Sequence, residues 1–419
     1  MVMGITIMVV TMNIERFEAG LARRAGGNLL VYGRRKVGKT YLVRNFIKYD
    51  IYVLVNRGGG IYIEGGPFET LDSYDQFLGL LSSWIADGKT VIVDEFQRLP
   101  REFIDRLQTI KYNGRIILTG SSFHVSNEVL SQKSPILGMF SDLRLTLISP
   151  EDIFKGLAGK MSAEKALQLA PYMRDPWTIP YFRGGDTTVE DILLLSRQGI
   201  RALLGEVFQD EEKDLSAVYE GIVRLLSTGR WKMGQMADTL YSRKIIPKPD
   251  PHLIRPYFNN METMDLVRRI PIHGRKEFMY RVSSPVMELG FLLDEKYGFF
   301  NHDIRENALK AEISGAIPGH VERFCGELFA RMYGGRFEYF YSSGFDIDFI
   351  VTRGKKVVCC GEVKWGRKSS RSDVDIMVER TRHLPGEKVF ISRNMVEDDR
   401  VTVLDPDKLL KLVEDKVTV

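Results

Sequence analysis

The stretch Gly33-Arg34-Arg35-Lys36-Val37-Gly38-Lys39-Thr40 decides the fold of the first third of this chain. It matches the pattern GxxxxGK[ST], in which two glycines let main-chain N–H groups curl around phosphate oxygens. The apolar run 28–32 before it is typical of a buried strand, and residues 41–48 after it are typical of a helix. This order predicts a P-loop in an α/β domain with a parallel sheet.

The residues of this loop have separate expected roles. We expect the segment from Gly33 to Thr40, with Tyr41 beside it, to bind ATP. Lys39 would reach the β- and γ-phosphates, and the hydroxyl of Thr40 would bind Mg²⁺. The positive end of the following helix would face the same anion.

A second motif lies about fifty residues further on, in Val91-Ile92-Val93-Asp94-Glu95. This apolar strand ends in two carboxylates, of which Asp94 would hold Mg²⁺ through water and Glu95 would polarise the attacking water. The spacing suits a sheet with one strand inserted between the two motifs. The alternative is that two acidic residues simply close a strand.

The run Ile116-Ile117-Leu118-Thr119-Gly120-Ser121-Ser122 is a third apolar strand that ends in small hydroxyl residues. Thr119 or Ser121 could sense the γ-phosphate from the neighbouring strand. The same residues are also typical of an ordinary turn, so this motif is the least specific of the three.

These three motifs together resemble an archaeal P-loop ATPase family of AAA+ and STAND-like type, related to the origin-recognition ATPases. The resemblance implies a helical lid, a winged helix and often a C-terminal domain, and Trp177–Tyr181 agrees loosely with the family's Gly-x-Pro-Tyr element. Relatives usually place an arginine after an apolar Pro-Ile-Leu-Gly run. Here Met139 follows that run and Arg144 comes later, so the source of any arginine finger stays open.

The middle of the chain is predicted to form a winged helix-turn-helix. Residues 216–281 contain 12 Lys or Arg against 6 Asp or Glu, although the whole chain carries a net charge of only +4. Three helical stretches are followed there by two strand-like runs around His273-Gly274. A local basic surplus favours DNA as a partner. The alternatives are a solvated face, an intramolecular clamp or a protein-binding surface. The candidate DNA contacts are His252, Arg255, Arg268, Arg269, Arg275 and Lys276.

The last part of the chain carries Asp346-Ile347-Asp348-Phe349 and Gly361-Glu362-Val363-Lys364-Trp365 on two predicted strands. Glu362 and Lys364 would share one strand face, because side chains alternate with a period of two. With Asp348, and with Glu322 from the preceding helix 321–332, this arrangement resembles the PD-(D/E)xK nuclease fold. The resemblance implies Mg²⁺ on Glu322, Asp348 and Glu362, with Lys364 orienting a water. An exposed cross-strand pair and a fold used only for binding are the alternatives.

Four domains are therefore expected in an α/β chain of 419 residues. They are a P-loop ATPase core (1–149), a helical lid (150–210), a winged helix-turn-helix (211–295) and an α/β restriction-endonuclease-like domain (300–419). The leading apolar run 1–12 is interpreted as a strand or frayed end. Three cysteines without a CxxC pair and the lack of a long apolar run favour a cytoplasmic protein without a membrane span.

Overall fold

The structure is a computed structural model. It describes residues 12–65, 70–71, 73–122, 125–132, 134–210, 216–342, 344–394 and 396–417. Nearly all of the leading run 1–12, which was interpreted as a strand or frayed end, lies outside these residues. No helix in the described ranges is long and apolar enough to cross a membrane.

The N-terminal part is a seven-stranded sheet covered by helices on both faces. Its elements are α1 (Phe17–Arg24), β1 (Leu29–Tyr32), α2 (Lys39–Phe46), β2 (Ile51–Val55), β3 (Ile61–Glu64), β4 (Thr70–Leu71), α3 (Tyr74–Ala86), β5 (Thr90–Asp94), α4 (Glu102–Leu107), β6 (Arg115–Gly120) and β7 (Ser141–Arg144). The strand order is β4-β3-β2-β5-β6-β1-β7. The five strands from β2 to β7 in this order are parallel, and β3 and β4 add an antiparallel edge.

The strand arrangement confirms that one strand lies between the two phosphate motifs. β6 pairs with β1 on one side and with β5 on the other. These strands are nearly continuous apolar runs because both faces of a parallel sheet are covered. Alternate residues belong to two separate cores, with Leu30 and Val93 on one face and Val31 and Ile92 on the other. The carboxyl ends of β1, β5 and β6 therefore meet at one edge.

A helical segment follows the sheet at the position expected for the lid. It consists of α5 (Pro150–Ala158), α6 (Ala163–Met173), a 3₁₀ turn (Pro176–Tyr181) and α7 (Val189–Asp210). Ser149 and Ser162 cap α5 and α6 by accepting main-chain N–H groups. Pro176 breaks the helical run, so the chain turns back towards the P-loop between α6 and α7.

The next unit has three helices and a two-stranded antiparallel hairpin, in the order that the sequence predicts. The elements are α8 (Ala217–Ser227), α9 (Met233–Ser242), α10 (Pro251–Thr263), β8 (Val267–Pro271) and β9 (Phe278–Val282). A further helix, α11 (Pro285–Tyr297), leads away from the hairpin.

The C-terminal part is a five-stranded sheet with one long helix against it. Its elements are α12 (Glu306–Met332), β10 (Arg336–Tyr341), β11 (Asp346–Arg353), β12 (Lys356–Lys364), α13 (Arg371–Thr381), β13 (Glu387–Ser392), β14 (Thr402–Leu404) and α14 (Pro406–Val417). The strands lie in chain order, antiparallel from β10 to β12 and parallel from β12 to β14. The predicted helix 321–332 is only the second half of α12, because the helix continues through Pro318.

A single buried cluster joins the lid, the three-helix unit and the C-terminal sheet. It includes Leu167 of α6, Ile222 of α8, Phe324 of α12 and Val363 of β12. The helix α12 packs against the lid as well as against the sheet, and Trp365 Nε1 donates to Gln168 Oε1 of α6 at 3.2 Å. The four predicted domain limits thus stay predictions, since three of the expected domains share one core.

Candidate functional site

The phosphate loop occupies residues 33–38, between the end of β1 and the start of α2. Gly38 has φ +94°, a left-handed conformation that favours glycine. A Cβ at Gly33 would lie 2.3 Å from the carbonyl oxygen of Leu145. The two glycines of the motif are therefore required for different reasons, one for backbone conformation and one for close packing.

Lys39 is buried at the start of α2 and points back into the loop. Its Nζ donates to the carbonyl oxygens of Gly33 at 2.9 Å and Arg34 at 3.3 Å. An ammonium in this position is enclosed by the same loop whose N–H groups would surround a phosphate. It lies where the sequence predicts the cation that reaches the β- and γ-phosphates.

Asp94, at the end of β5, accepts hydrogen bonds from three hydroxyl groups. Its Oδ2 accepts from Thr40 Oγ1 at 2.7 Å and from Tyr52 OH at 2.6 Å, and its Oδ1 accepts from Thr119 Oγ1. Burial, reinforced by the charge of Asp94, raises the pKa of Tyr52 above its ordinary value. Thr40 and Asp94 are brought together as a metal site would require. Tyr52 was not predicted, and only the adjacency of β2 and β5 could have indicated it.

Glu95 follows in a left-handed conformation with φ +61°. Its carboxylate accepts from Gln97 Nε2 at 2.7 Å and lies 3.3 Å from Arg98 Nη2. Its main-chain N–H donates to Thr119 Oγ1 at 3.2 Å. Thr119 thus supports the Asp94–Glu95 turn, which differs from the predicted contact with a γ-phosphate. Ser121, the other candidate sensor, is buried just past the end of β6.

A cavity of about 740 Å³ opens between the phosphate loop and the lid. Its polar side includes the loop from Arg35 to Thr40, together with Glu95. Its apolar side comes from the N-terminal segment and the lid and consists of Met12, Ile14, Ile148, Pro176, Trp177, Ile179 and Pro180. Tyr41 also lines it and donates its hydroxyl to Asn13 Oδ1 at 2.8 Å. A polar end with a cation and an apolar end of this size fit a nucleoside triphosphate.

The three cationic side chains inside the loop turn to the lid. Arg34 forms a buried ion pair with Asp175 at 2.6 Å. Arg35 and Lys36 both pair with Glu206 of α7, at 2.7 and 3.1 Å. The side chains of residues 34–36 thus form ion pairs with lid carboxylates, while Arg35 and Lys36 also line the cavity. Asp175 and Glu206 lie 141 and 171 residues from their partners, so no local sequence pattern could have indicated them.

The predicted DNA-contacting residues fall into two groups. Arg268 Nη1 donates to Glu327 Oε2 of α12 at 2.8 Å, and Arg275 Nη2 donates to the carbonyl oxygen of Tyr341 at 3.2 Å. These two arginines hold the hairpin on the C-terminal part, and Arg268 is half-buried there, whereas Arg275 stays exposed. His252, Arg255, Arg269 and Lys276 are exposed as well, and contact with DNA stays a prediction for all of these residues. Arg269 additionally stacks over Phe278, at 5.1 Å.

The hairpin also joins the edge of the C-terminal sheet. Ile272 bridges to Tyr339 of β10, and the N–H of His273 donates to the carbonyl oxygen of Tyr339 at 2.7 Å. His273 Nδ1 lies 2.8 Å from Glu338 Oε2. The hairpin therefore has an intramolecular docking site, which is one of the alternatives that the sequence left open.

The carboxylates predicted for the C-terminal site lie in one place. Phe349 of β11 pairs with Gly361 of β12, so Asp348 and Glu362 are the next opposed pair along the two strands. Lys364 Nζ donates to Glu362 Oε1. Burial, opposed by Lys364 and reinforced by Glu362, raises the pKa of Glu322 to about 7. Burial raises the pKa of Asp348 well above its usual range, and Glu322 and Glu362 add to this effect.

Protein groups occupy two of the carboxylates in this cluster. Within the described part of the chain, no group of three or more His, Cys, Asp or Glu side chains is arranged to hold a metal ion. The ammonium of Lys364 instead pairs with Glu362, and the N–H of Val363 occupies Asp348 Oδ2 at 2.7 Å. Binding of Mg²⁺ by Glu322, Asp348 and Glu362 stays a prediction.

Comparison with known proteins agrees with the P-loop assignment. Residues 26–144, which hold all three phosphate motifs, match a family model described as an AAA domain. This match and the geometry above identify the N-terminal part as a nucleotide-binding ATPase domain of AAA type. No curated protein sequence matches the chain.

Several solved structures are similar over most of their length. A Walker-type ATPase of Pyrococcus abyssi is 17% identical, with a TM-score of 0.47, over 67% of this chain and 96% of its own. The Aeropyrum pernix ORC2 protein, solved as ADPNP–ADP complexes, is 15% identical, with a TM-score of 0.39, over 72% of this chain and 93% of its own. The ORC1 protein of the same organism, solved with DNA, is 16% identical, with a TM-score of 0.26, over 66% of this chain and 88% of its own.

Proposed function

We propose that this chain is an ATP-hydrolysing molecular switch that contacts DNA through a winged helix and carries a nuclease-like effector at its C-terminus. The observation that supports the ATPase part is the arrangement around Asp94. Lys39, Thr40 and Glu95 surround one cavity, in which they are the cation, the metal ligand and the general base that phosphoryl transfer needs.

In this proposal the chain's residues act on ATP and Mg²⁺ in three ways. Lys39 would exchange its carbonyl partners for phosphate oxygens, Thr40 and Asp94 would hold Mg²⁺, and Glu95 would orient the attacking water. Mg²⁺ supplies charge stabilisation for the transferring phosphoryl group. The apolar residues Ile148, Pro176 and Trp177 would bind the base and keep water away from it.

The effector part of the proposal depends on the C-terminal carboxylates. Asp348 and Glu362 would bind a divalent ion, with Glu322 from α12 completing the site and Lys364 orienting a water for phosphodiester attack. Asp348 and Glu362 lie opposite each other on neighbouring strands, and the charges of Glu322 and Glu362 add to the burial that raises the pKa of Asp348, which supports a shared pocket. Lys368, in the loop after Lys364, and Arg371, at the start of α13, are exposed cations that suit a polyanionic substrate, while Arg367 between them and the strand pairs with Asp373.

A second candidate is a signalling ATPase whose hairpin and C-terminal part bind protein. The ion pair of Arg268 with Glu327 favours it, because that cation is then engaged within the chain and not presented to phosphate. Arg255, Arg269 and Lys276 are exposed in either case. DNA binding therefore separates the two candidates.

The test measures ATP turnover with and without duplex DNA, and DNA affinity over a range of salt concentrations. The DNA proposal expects affinity that falls steeply with salt, and weaker binding to unrelated sequences when Arg269 and Lys276 are both replaced by alanine. Arg101→Ala with Lys111→Ala removes the same charge from exposed positions of the ATPase domain and is the control. DNA binding that changes neither with salt nor with the replacement of Arg269 and Lys276 would favour the protein-binding candidate.

A further inference from the structure

Two consecutive residues at the end of α6 connect the phosphate loop with the rest of the molecule. Asp175 Oδ2 accepts from Arg34 Nη2 at 2.6 Å, and the two side chains are 1% and 0% exposed. Within the described structure, Asp175 Oδ1 and Arg34 Nε and Nη1 have no hydrogen-bond partner. Burying two charges for one hydrogen bond adds little to stability, yet removing one partner of such a pair is costly. The pair therefore fixes a specific arrangement of loop and lid.

The preceding residue, Arg174, binds in the opposite direction. Its Nη1 donates to Glu327 Oε2 of α12 at 2.6 Å, and its Nε donates to the carbonyl oxygen of Ile148 at 2.9 Å. The N–H of Ile148 donates back to the carbonyl oxygen of Arg174 at 2.8 Å. Ile148 lines the nucleotide cavity, so Arg174 touches its wall and α12 at once.

Glu327 completes the connection, because the same oxygen also accepts from Arg268 Nη1 of the hairpin at 2.8 Å. Burial alone would raise the pKa of Glu327, but the charges of Arg174 and Arg268 outweigh it and lower the pKa to about 2. Glu327 is thus ionised throughout the physiological range.

We propose that these five residues form a coupling path: Arg34–Asp175 and Arg174–Glu327–Arg268 transmit the nucleotide state of the P-loop to the hairpin and the C-terminal part. Asp175 is a positioning residue for the phosphate loop, and Glu327 is the branch point between lid and hairpin. This inference rests on the proposed ATP switch and names the contacts that regulate it. Each contact is buried or half-buried and joins separate elements, so a shift of the loop on phosphate binding cannot occur without strain at Asp175.

Coupling between sites is reciprocal, which makes the path measurable from either end. Glu327 does not line the nucleotide cavity. In the full chain, Asp175→Asn should weaken binding of a fluorescent ATP analogue by about 10-fold or more, and Glu327→Gln should weaken it by about 5-fold, within the usual range of coupling energies. The double variant should lose less affinity than the product of the two single fold-losses, because both changes interrupt one path.

The control is a second ion pair in the same interface. Glu151 of α5 accepts from Arg331 of α12 at 2.5 Å and is as buried as the members of the path. Glu151→Gln should lower the thermal midpoint without changing nucleotide affinity. Hydrogen exchange of the hairpin amides, residues 267–282, should respond to nucleotide in wild type and in Glu151→Gln, and should not respond in Glu327→Gln.

The outcomes separate the path from the proposed function. A wild-type chain that binds no nucleotide analogue would refute the ATP switch itself. A second outcome is that the wild type binds nucleotide, but Glu327→Gln has the same affinity and the same hairpin exchange as Glu151→Gln. This outcome would overturn the proposed coupling path and leave the ATPase assignment intact. The coupling path would also be overturned if the double variant lost affinity by the product of the two single fold-losses.

Discussion

Replacing Thr119 by valine removes one hydroxyl that makes two hydrogen bonds at the end of β6. Thr119 is fully buried, its Oγ1 donates to Asp94 Oδ1, and the same oxygen accepts from the N–H of Glu95 at 3.2 Å. Valine has nearly the same shape as threonine. The change therefore removes polar contacts without opening a cavity.

The expected cost follows from what each partner loses. A hydrogen bond to a charged group contributes about 1.5–3 kcal/mol, and a buried N–H without a partner costs about 1–3 kcal/mol. Asp94 keeps the hydroxyls of Thr40 and Tyr52, so the two terms do not add fully. We expect Thr119→Val to lower the free energy of unfolding of the ATPase domain by about 2–4 kcal/mol. Turnover should fall as well, because Glu95 loses the bond that fixes its backbone.

The assay compares thermal unfolding and steady-state ATP turnover of Thr119→Val, Thr119→Ser and wild type. Serine keeps the hydroxyl and should restore most of both properties. If Thr119→Val unfolds at the wild-type midpoint while only turnover falls, the hydroxyl acts on the γ-phosphate, as the sequence alone indicated. The scaffold role argued from the structure would then be wrong.

Further predictions concern three other sites of the molecule. Lys39→Ala should abolish ATP binding, and Glu95→Gln should retain binding but stop turnover; wild-type turnover in both would contradict the nucleotide site. Burial lowers the pKa of His320 from 6.5 to about 4. Because the unfolded chain binds this proton more readily, the free energy of unfolding is unaffected by His320 above pH 6.5 and falls by about 3 kcal/mol as the pH decreases from 6.5 towards 4. His320→Gln should flatten the dependence of the thermal midpoint on pH in that window, and an unchanged slope would refute this. Glu362→Ala and Lys364→Ala should each abolish Mg²⁺-dependent DNA cleavage and leave ATP hydrolysis nearly intact, which paired nuclease and ATPase assays would check.

The ATPase core could be predicted because its chemistry is local in sequence. The loop 33–40 and the strand ending at Asp94 each contain their own functional residues and their own structural context. The apolar strands are buried on both faces, so their pattern is a continuous run that needs no partner to be recognised. Once these strands are recognised as parallel, only a few strand orders remain possible.

The ion-pair partners of the phosphate loop and of the hairpin could not be predicted, because they depend on tertiary contacts. Arg34 meets Asp175, and Arg268 meets Glu327, only after several elements have packed. A basic residue in a hairpin has the same local pattern whether it faces solvent or a carboxylate. The surplus of positive charge in 216–281 therefore indicated DNA for Arg268 and Arg275, although both bind within the chain.

The start of α12 was misplaced for a related reason. Pro318 removes one main-chain donor and usually ends a helix, so the sequence favoured a start at Val321. In the structure the helix runs on both sides of Pro318, which lies against Gly366 of the loop after β12. Tertiary packing on the lid and on the sheet compensates for the lost hydrogen bond.

The distribution of charge in the phosphate loop has a consequence for how ATP is recognised. Arg34 pairs with Asp175, and Arg35 and Lys36 share Glu206, so lid carboxylates offset most of the loop's side-chain charge. Lys39 and the main-chain N–H groups then supply the attraction for phosphate. Since those carboxylates belong to the lid, the same ion pairs hold the loop in one arrangement against the lid. The phosphate affinity of the P-loop is thereby tied to the position of the lid, and through Arg174 to α12 and the hairpin.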